Sequence, residues 1–206
     1  MVITYYGKGY IKVVLGEMTL AFNPPAKNDP TKPPRFGSDI TLVSANLPDF
    51  NNSDLNHFGD KQPVVFAGPG EYEAGGVFIR GIATVGPKGV LNTVYSVTID
   101  DTNLCHLGAL ASVDLGSETK EALGEIDILF VPTTASGLLE VTAAHKLATT
   151  LEPAVVVPLF YDGPGKDTMA KFLKEEGENV TAIDKFVTKK KDLSGKEGQV
   201  VVIKSW

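Results

Sequence analysis

The chain is poor in the residues that build redox and metal chemistry. Of 206 residues, one is cysteine, Cys105, and three are histidine, His57, His106 and His145. A lone cysteine excludes an internal disulfide and a cysteine-built zinc site. The histidines lie far apart and show no metal-ligand spacing. Excess positive charge is missing too: 19 Lys and Arg stand against 25 Asp and Glu, a formal net charge of −6. Neutralising phosphates needs clustered cations, so a nucleic-acid partner is not expected. No apolar run approaches the ~18 residues that span a bilayer. Met1-Val2-Ile3-Thr4-Tyr5-Tyr6 reads as a strand and not as a signal segment. A cytoplasmic protein without a membrane partner is the expectation. Neither a phosphate-binding Gly-x-x-x-x-Gly-Lys loop nor a Gly-x-Ser-x-Gly elbow occurs.

What is present is a globular composition, 43% apolar and 21% charged, at a length that suits a single domain over residues 1–206. Strand signals crowd the first half. Ile3 to Tyr6, Ile11 to Leu15 and Met18 to Phe22 are short apolar or β-branched runs punctuated by glycine. Five prolines between Asn23 and Gly37 mark a surface loop. Asp39 to Val43, Val64 to Phe66 and Val77 to Ile79 follow as further strands, with Gly68-Pro69-Gly70 and Gly75-Gly76 as turns. Val94 to Ile99 and Asn103 to His106 complete this half. Strand and helix then alternate: helices near Ser117 to Leu123, Leu139 to Leu151 and Lys166 to Glu176, and strands at Ile126 to Val131, Ala154 to Val157 and Gln199 to Ile203. Two sheets covered by helices suit this order. Pattern alone does not separate that solution from an open doubly wound sheet.

The residues offer few centres of chemistry. Cys105 and His106 are neighbours in a strand and point to opposite faces, so they do not form a nucleophile pair. His106 ends its strand, where sites form in such sheets. Lys189-Lys190-Lys191 reads as a solvated hairpin tip.

Segments running nearly the length of the chain resemble the metallo-β-lactamase superfamily, in the branch of small metal-dependent hydrolases similar to ascorbate-phosphate lactonase. Ile3 to Val13 resembles the family's first hairpin, and Asp39 to Ser44 the strand that delivers its metal motif. Gly70-Glu71-Tyr72-Glu73-Ala74-Gly75-Gly76-Val77 resembles the entry to its second sheet. Asn92-Thr93-Val94-Tyr95, Leu104-Cys105-His106-Leu107-Gly108, Glu125 to Pro132 and Glu152 to Pro158 resemble the strands that follow. The resemblance implies an α/β protein with mixed sheets, a four-layer αββα sandwich. It also implies a zinc or manganese site built on His-x-His-x-Asp-His. The matching run here is Ala45-Asn46-Leu47-Pro48-Asp49-Phe50, which keeps Asp49 alone. Ala109 stands where the family has its bridging aspartate, and Phe160 near its last histidine. The stretch between Arg80 and Asn92 holds neither His nor Asp.

Apolar replacement of donors, rather than exchange for other donors, points to loss of the metal and not to a change of metal. The expectation is a pseudo-hydrolase without cofactor, serving in binding, regulation or assembly, with self-association one form of it and its small-molecule ligand unidentified. The alternative is a hydrolase of a phosphorylated, lactone or nucleotide substrate with ligands such as Asp49, His106, Glu71 or Asp162. Asp49 is expected to cap a turn beginning near Asn51. Otherwise it is a residual acid beside His106 and Tyr161.

Overall fold

The computed structural model describes residues 1–30, 32–133, 137–160, 167–177 and 180–205. The strands are β1 (Val2–Tyr5), β2 (Ile11–Leu15), β3 (Met18–Phe22), β4 (Ile40–Leu42), β5 (Val64–Phe66), β6 (Gly70–Ala74), β7 (Val77–Val85), β8 (Leu91–Ile99) and β9 (Thr102–His106). Then come α1 (Gly116–Leu123), β10 (Ile128–Pro132), α2 (Val141–Leu151), β11 (Val155–Leu159), α3 (Asp167–Glu175), β12 (Phe186–Val187), α4 (Lys190–Leu193) and β13 (Gln199–Val200).

Two mixed sheets result. The first has the order β12-β1-β2-β3-β4-β5 and the second β13-β11-β10-β9-β8-β7-β6. Alternation sets their faces. Ile11 and Val13 of β2, with Leu20 and Phe22 of β3, join Tyr95 and Val97 of β8 in one buried core. The tight turns follow from backbone freedom: Gly75 and Gly76 both have positive φ, as do Asp100 and Asp101, the pattern of a two-residue hairpin turn. β10 and β11 are buried at every position and pair in parallel, which explains their unbroken apolar runs. α2 packs against β10 and α3.

This is the two-sheet solution with helices on the second sheet. The outer face of the first sheet carries a small apolar cluster of its own. Tyr10, Ala21, Phe36 and Leu55 form a separate buried cluster, with Tyr6 against it. The Lys12 ammonium lies 4.5 Å from the centre of the Phe36 ring. Lys12 and Ala21 alternate with the core-facing residues of β2 and β3, so this cluster covers the outer face. Its covering residues come from the proline-rich segment and a short 3-10 turn, Ser53–Asn56; no α-helical residue contributes to it.

Three local readings are corrected. The run from Gly70 is a strand, β6, at the sheet edge, with Glu71 and Glu73 exposed. Residues 201 and 202 lie outside β13, and Ile203 makes an isolated bridge to Ile183. The lysine run is no hairpin tip: it opens α4, and the Lys190 ammonium meets both oxygens of Asp127, at 2.8 and 2.7 Å. Asp127 is buried and also accepts the Asn103 N–H at 2.8 Å. It thus ties β9 and α4 to the start of β10. Asp127→Ala strips the part-buried Asn103 N–H and the Lys190 ammonium of their acceptor. The expected loss is about 2–4 kcal/mol in urea unfolding, while Lys190→Ala, whose side chain is part-exposed, costs clearly less.

Candidate functional site

The cleft lies where β4, β9 and β11 end. After β4, Ser44 and Ala45 cross toward the second sheet: Ala45 bridges Asn92, and the Thr93 N–H donates to the Ser44 carbonyl at 2.7 Å. Asn92 is fully buried and serves three groups. Its amide donates to Thr84 Oγ1 at 2.8 Å and to the Leu107 carbonyl at 3.0 Å, and its oxygen accepts the Ala109 N–H at 2.7 Å. Gly108 has φ +63, and a Cβ there would stand 2.5 Å from Ser44 Cβ. Glycine is therefore required where the loop after β9 passes β4.

Ala45, Phe50 and Ala109 form a buried cluster, with Leu47, Leu138 and Phe160 packed on it. The Phe50 and Phe160 rings are 5.5 Å apart, tilted by 34°, a favourable aromatic geometry. Phe160 follows β11 with φ +62. Its N–H reaches Tyr5 Oη at 2.8 Å and the Lys8 carbonyl at 3.2 Å. Gly9 lies against the ring; a Cβ there would be 3.1 Å from Phe160 Cζ.

Asp49 does not cap the 3-10 turn. The turn's N-cap is Asn52, without a side-chain bond. Among the described residues the Asp49 carboxylate instead bonds the Lys8 ammonium at 2.6 Å. Its side chain is near the solvent, and a lysine reaches it before any backbone N–H does. The same ammonium bonds Asp29. Burial pulls the Lys8 pKa down, but the hydrogen bonds and charges of Asp29 and Asp49 more than offset this and raise it.

His106 is fully buried. Its Nδ1 accepts the Gly108 N–H at 2.9 Å, so Nε2 carries the proton and donates to the Gly9 carbonyl at 3.2 Å. The ring stacks on Phe22 with centroids 5.2 Å apart. Burial pushes its pKa down to about 4, against the weaker upward pull of the Gly9 carbonyl. Both ring nitrogens are thus taken by backbone groups, which corrects its reading as a ligand or acid beside Asp49. Glu71 sits on the edge strand β6 in an ion pair with Arg80. Tyr161 and Asp162 lie outside the described residues. Cys105 is buried and burial raises its thiol to about 12, which keeps it protonated and unreactive.

A family model described as a β-lactamase superfamily domain matches residues 2–160. The chain belongs to this superfamily. Several solved structures share its fold. A candidate zinc-dependent hydrolase of the metallo-β-lactamase superfamily from Thermotoga maritima is 25% identical, with a TM-score of 0.80 over 100% of this chain and 99% of that one. A candidate metal-dependent hydrolase from Parabacteroides distasonis is 15% identical, with a TM-score of 0.70 over 99% and 93%. A metallo hydrolase from Ignicoccus hospitalis is 15% identical, with a TM-score of 0.65 over 98% and 94%. No curated protein matches.

The superfamily fold implies a metal, and a catalytic zinc site needs three protein donors and an open position. The described cleft residues do not fit that need. Hydrocarbon lines it at Ala45, Leu47, Phe50, Ala109 and Phe160, and the nearby Asp49 carboxylate is held by an ammonium. Among the described residues no group of three His, Cys, Asp or Glu could hold an ion. Sequence reasoning missed Lys8, Asn23, Asn92 and Leu138 in this region. Gly7-Lys8-Gly9 was the available signal, since a lysine between two glycines marks a backbone held in an unusual conformation.

The depressed His106 pKa makes stability pH-dependent. The unfolded imidazole titrates near 6.5 and the folded one near 4, so the unfolded state binds the proton first. The contribution is complete above pH 6.5 and is lost as pH falls from there toward 4, by roughly 3 kcal/mol. Urea unfolding at pH 7 and pH 4.5 should show that fall, and His106→Gln should flatten it.

Proposed function

We propose that this chain is a metallo-β-lactamase-fold protein without a catalytic metal, a pseudo-hydrolase that acts in binding, regulation or assembly. The convergence of Ala45, Phe50 and Ala109 with Leu47 and Phe160 in one cluster supports this reading. These are the positions where the family resemblance puts metal donors. Burying each large apolar side chain contributes roughly 1.5–3 kcal/mol, so the cluster fills space that a hydrated ion would need.

The same reading takes residues 1–206 as one domain. It gives the protein no cofactor and no nucleic-acid partner, in line with its net charge of −6. Among the described residues no helix is long and apolar enough to cross a membrane, and we place the protein in the cytoplasm, with self-association as one route to an assembly role.

Metal content decides between this and a hydrolase using other ligands. Protein purified without chelator is expected to carry zinc, manganese and iron each far below one ion per chain by elemental mass spectrometry; a stoichiometric metal overturns the proposal. Phe50→Ala is expected to cost about 3–5 kcal/mol in urea unfolding and to leave the metal content unchanged.

A further inference from the structure

Two carboxylates and one ammonium meet beside the hydrocarbon cluster. Lys8 Nζ is 2.6 Å from Asp49 Oδ1 and also bonds Asp29 Oδ2. The Asp29 side chain is 3% exposed and that of Asp49 is 49% exposed. Asp49 is the one acid in the run from Ala45 to Phe50. Lys8 itself has φ +52, a backbone conformation that side chains with a Cβ adopt reluctantly. Two bonds hold it there: the Lys8 carbonyl accepts both the Tyr5 hydroxyl at 3.0 Å and the Phe160 N–H at 3.2 Å. The residue that fixes the backbone of Phe160 therefore also sends its charge to Asp49.

We propose that the Lys8 ammonium is a tethered cation standing in for a metal ion: it bridges the Asp29–Asp49 pair, offsets one of its two negative charges, and so locks the cleft in its closed, hydrocarbon-filled form. This rests on the metal-free reading above. A nearly buried carboxylate is costly without a counter-charge. A divalent ion or an ammonium can supply that charge, and the two exclude one another at the same oxygens. An ammonium on the chain is present at high effective concentration and cannot be chelated away. Lysine suits the task better than arginine, because its compact charge with three donors can serve two separate carboxylates, whereas a planar guanidinium favours one bidentate partner.

Replacing the amine should turn the locked pair into a cation-responsive one. Lys8→Met keeps the apolar stem and removes the charge. In chelator it is expected to melt about 5–10 °C below wild type. Millimolar Mn2+ should restore at least half of that loss. Wild type and the triple variant Lys8→Met, Asp29→Asn, Asp49→Asn should not respond to Mn2+. Lys8→Arg, which keeps a charge, should fold without Mn2+ and ignore it. The proposal is overturned if Lys8→Met melts with wild type, if Mn2+ fails to restore it or to let it fold, or if the triple variant or Lys8→Arg responds equally. Stoichiometric metal in wild type would remove the metal-free reading itself. A metal-free wild type beside an unresponsive Lys8→Met would remove the cation lock alone.

Discussion

The arrangement of the cleft depends on the seating of one side chain, Phe160, between segments that are distant in sequence. Its N–H is held by Tyr5 Oη at the end of β1 and by the Lys8 carbonyl just after it. Its ring meets Phe50 beyond β4 and the bare Cα of Gly9. Phe160 itself comes from the end of β11 in the other sheet. The contact thus closes one sheet on the other. The left-handed backbone of Phe160 costs roughly 1–2 kcal/mol, and burying much of a phenyl ring offsets that. Gly9 is needed for the approach, and its carbonyl in turn receives His106. Hydrocarbon contact, glycine access and the neutral histidine are therefore parts of one assembly.

A second set of bonds holds the strand ends without using the cleft side chains. Tyr95 Oη accepts the Gly68 N–H at 3.0 Å and lies 3.0 Å from the Phe66 carbonyl and 3.1 Å from that of Val43. Asn23 Oδ1 accepts the Ser44 N–H at 2.8 Å, while Asn92 ties β7, the loop after β9 and Ala109 together. These residues satisfy buried backbone groups, which would otherwise cost about 1–3 kcal/mol each. Their geometry sets where Ala45 and Ala109 lie, whatever side chain those positions carry. The fold can thus hold its loops in place while the chemistry of the cleft changes.

That division of labour explains what the sequence made legible. β2, β3 and β5 are readable to the residue, because their apolar spacing meets a core on one side or a turn at each end. The helix from Val141 and the amphipathic one from Asp167 are readable for the same reason. β6 is not, since Gly-Glu-Tyr-Glu-Ala at an exposed edge carries no apolar run. α4 hides in a lysine run because its role is an ion pair to Asp127, 63 residues away. At the cleft the list of apolar positions came from family resemblance, and the identity of what touches Asp49 came from neither source. Lys8 lies 41 residues from Asp49, and no local pattern announces such a pairing. His106 shows the same limit: its place at a strand end is legible, but not the two backbone groups that occupy its nitrogens.

Burial separates the cleft residues only in part: Leu47 and Phe160 are hydrocarbon although, like Asp49, they are only partly buried. Ala45, Phe50 and Ala109 are at most 4% exposed, and all three are hydrocarbon. Asp49, with half its side chain in solvent, is acidic. An imidazole or carboxylate left at one of the deep positions without an ion would face no solvent and few partners. An unpaired buried polar group costs about 1–3 kcal/mol, and an unpaired charge more. At the rim the penalty is small, because water screens the carboxylate and a flexible lysine can reach it. At the three deep positions hydrocarbon avoids that cost.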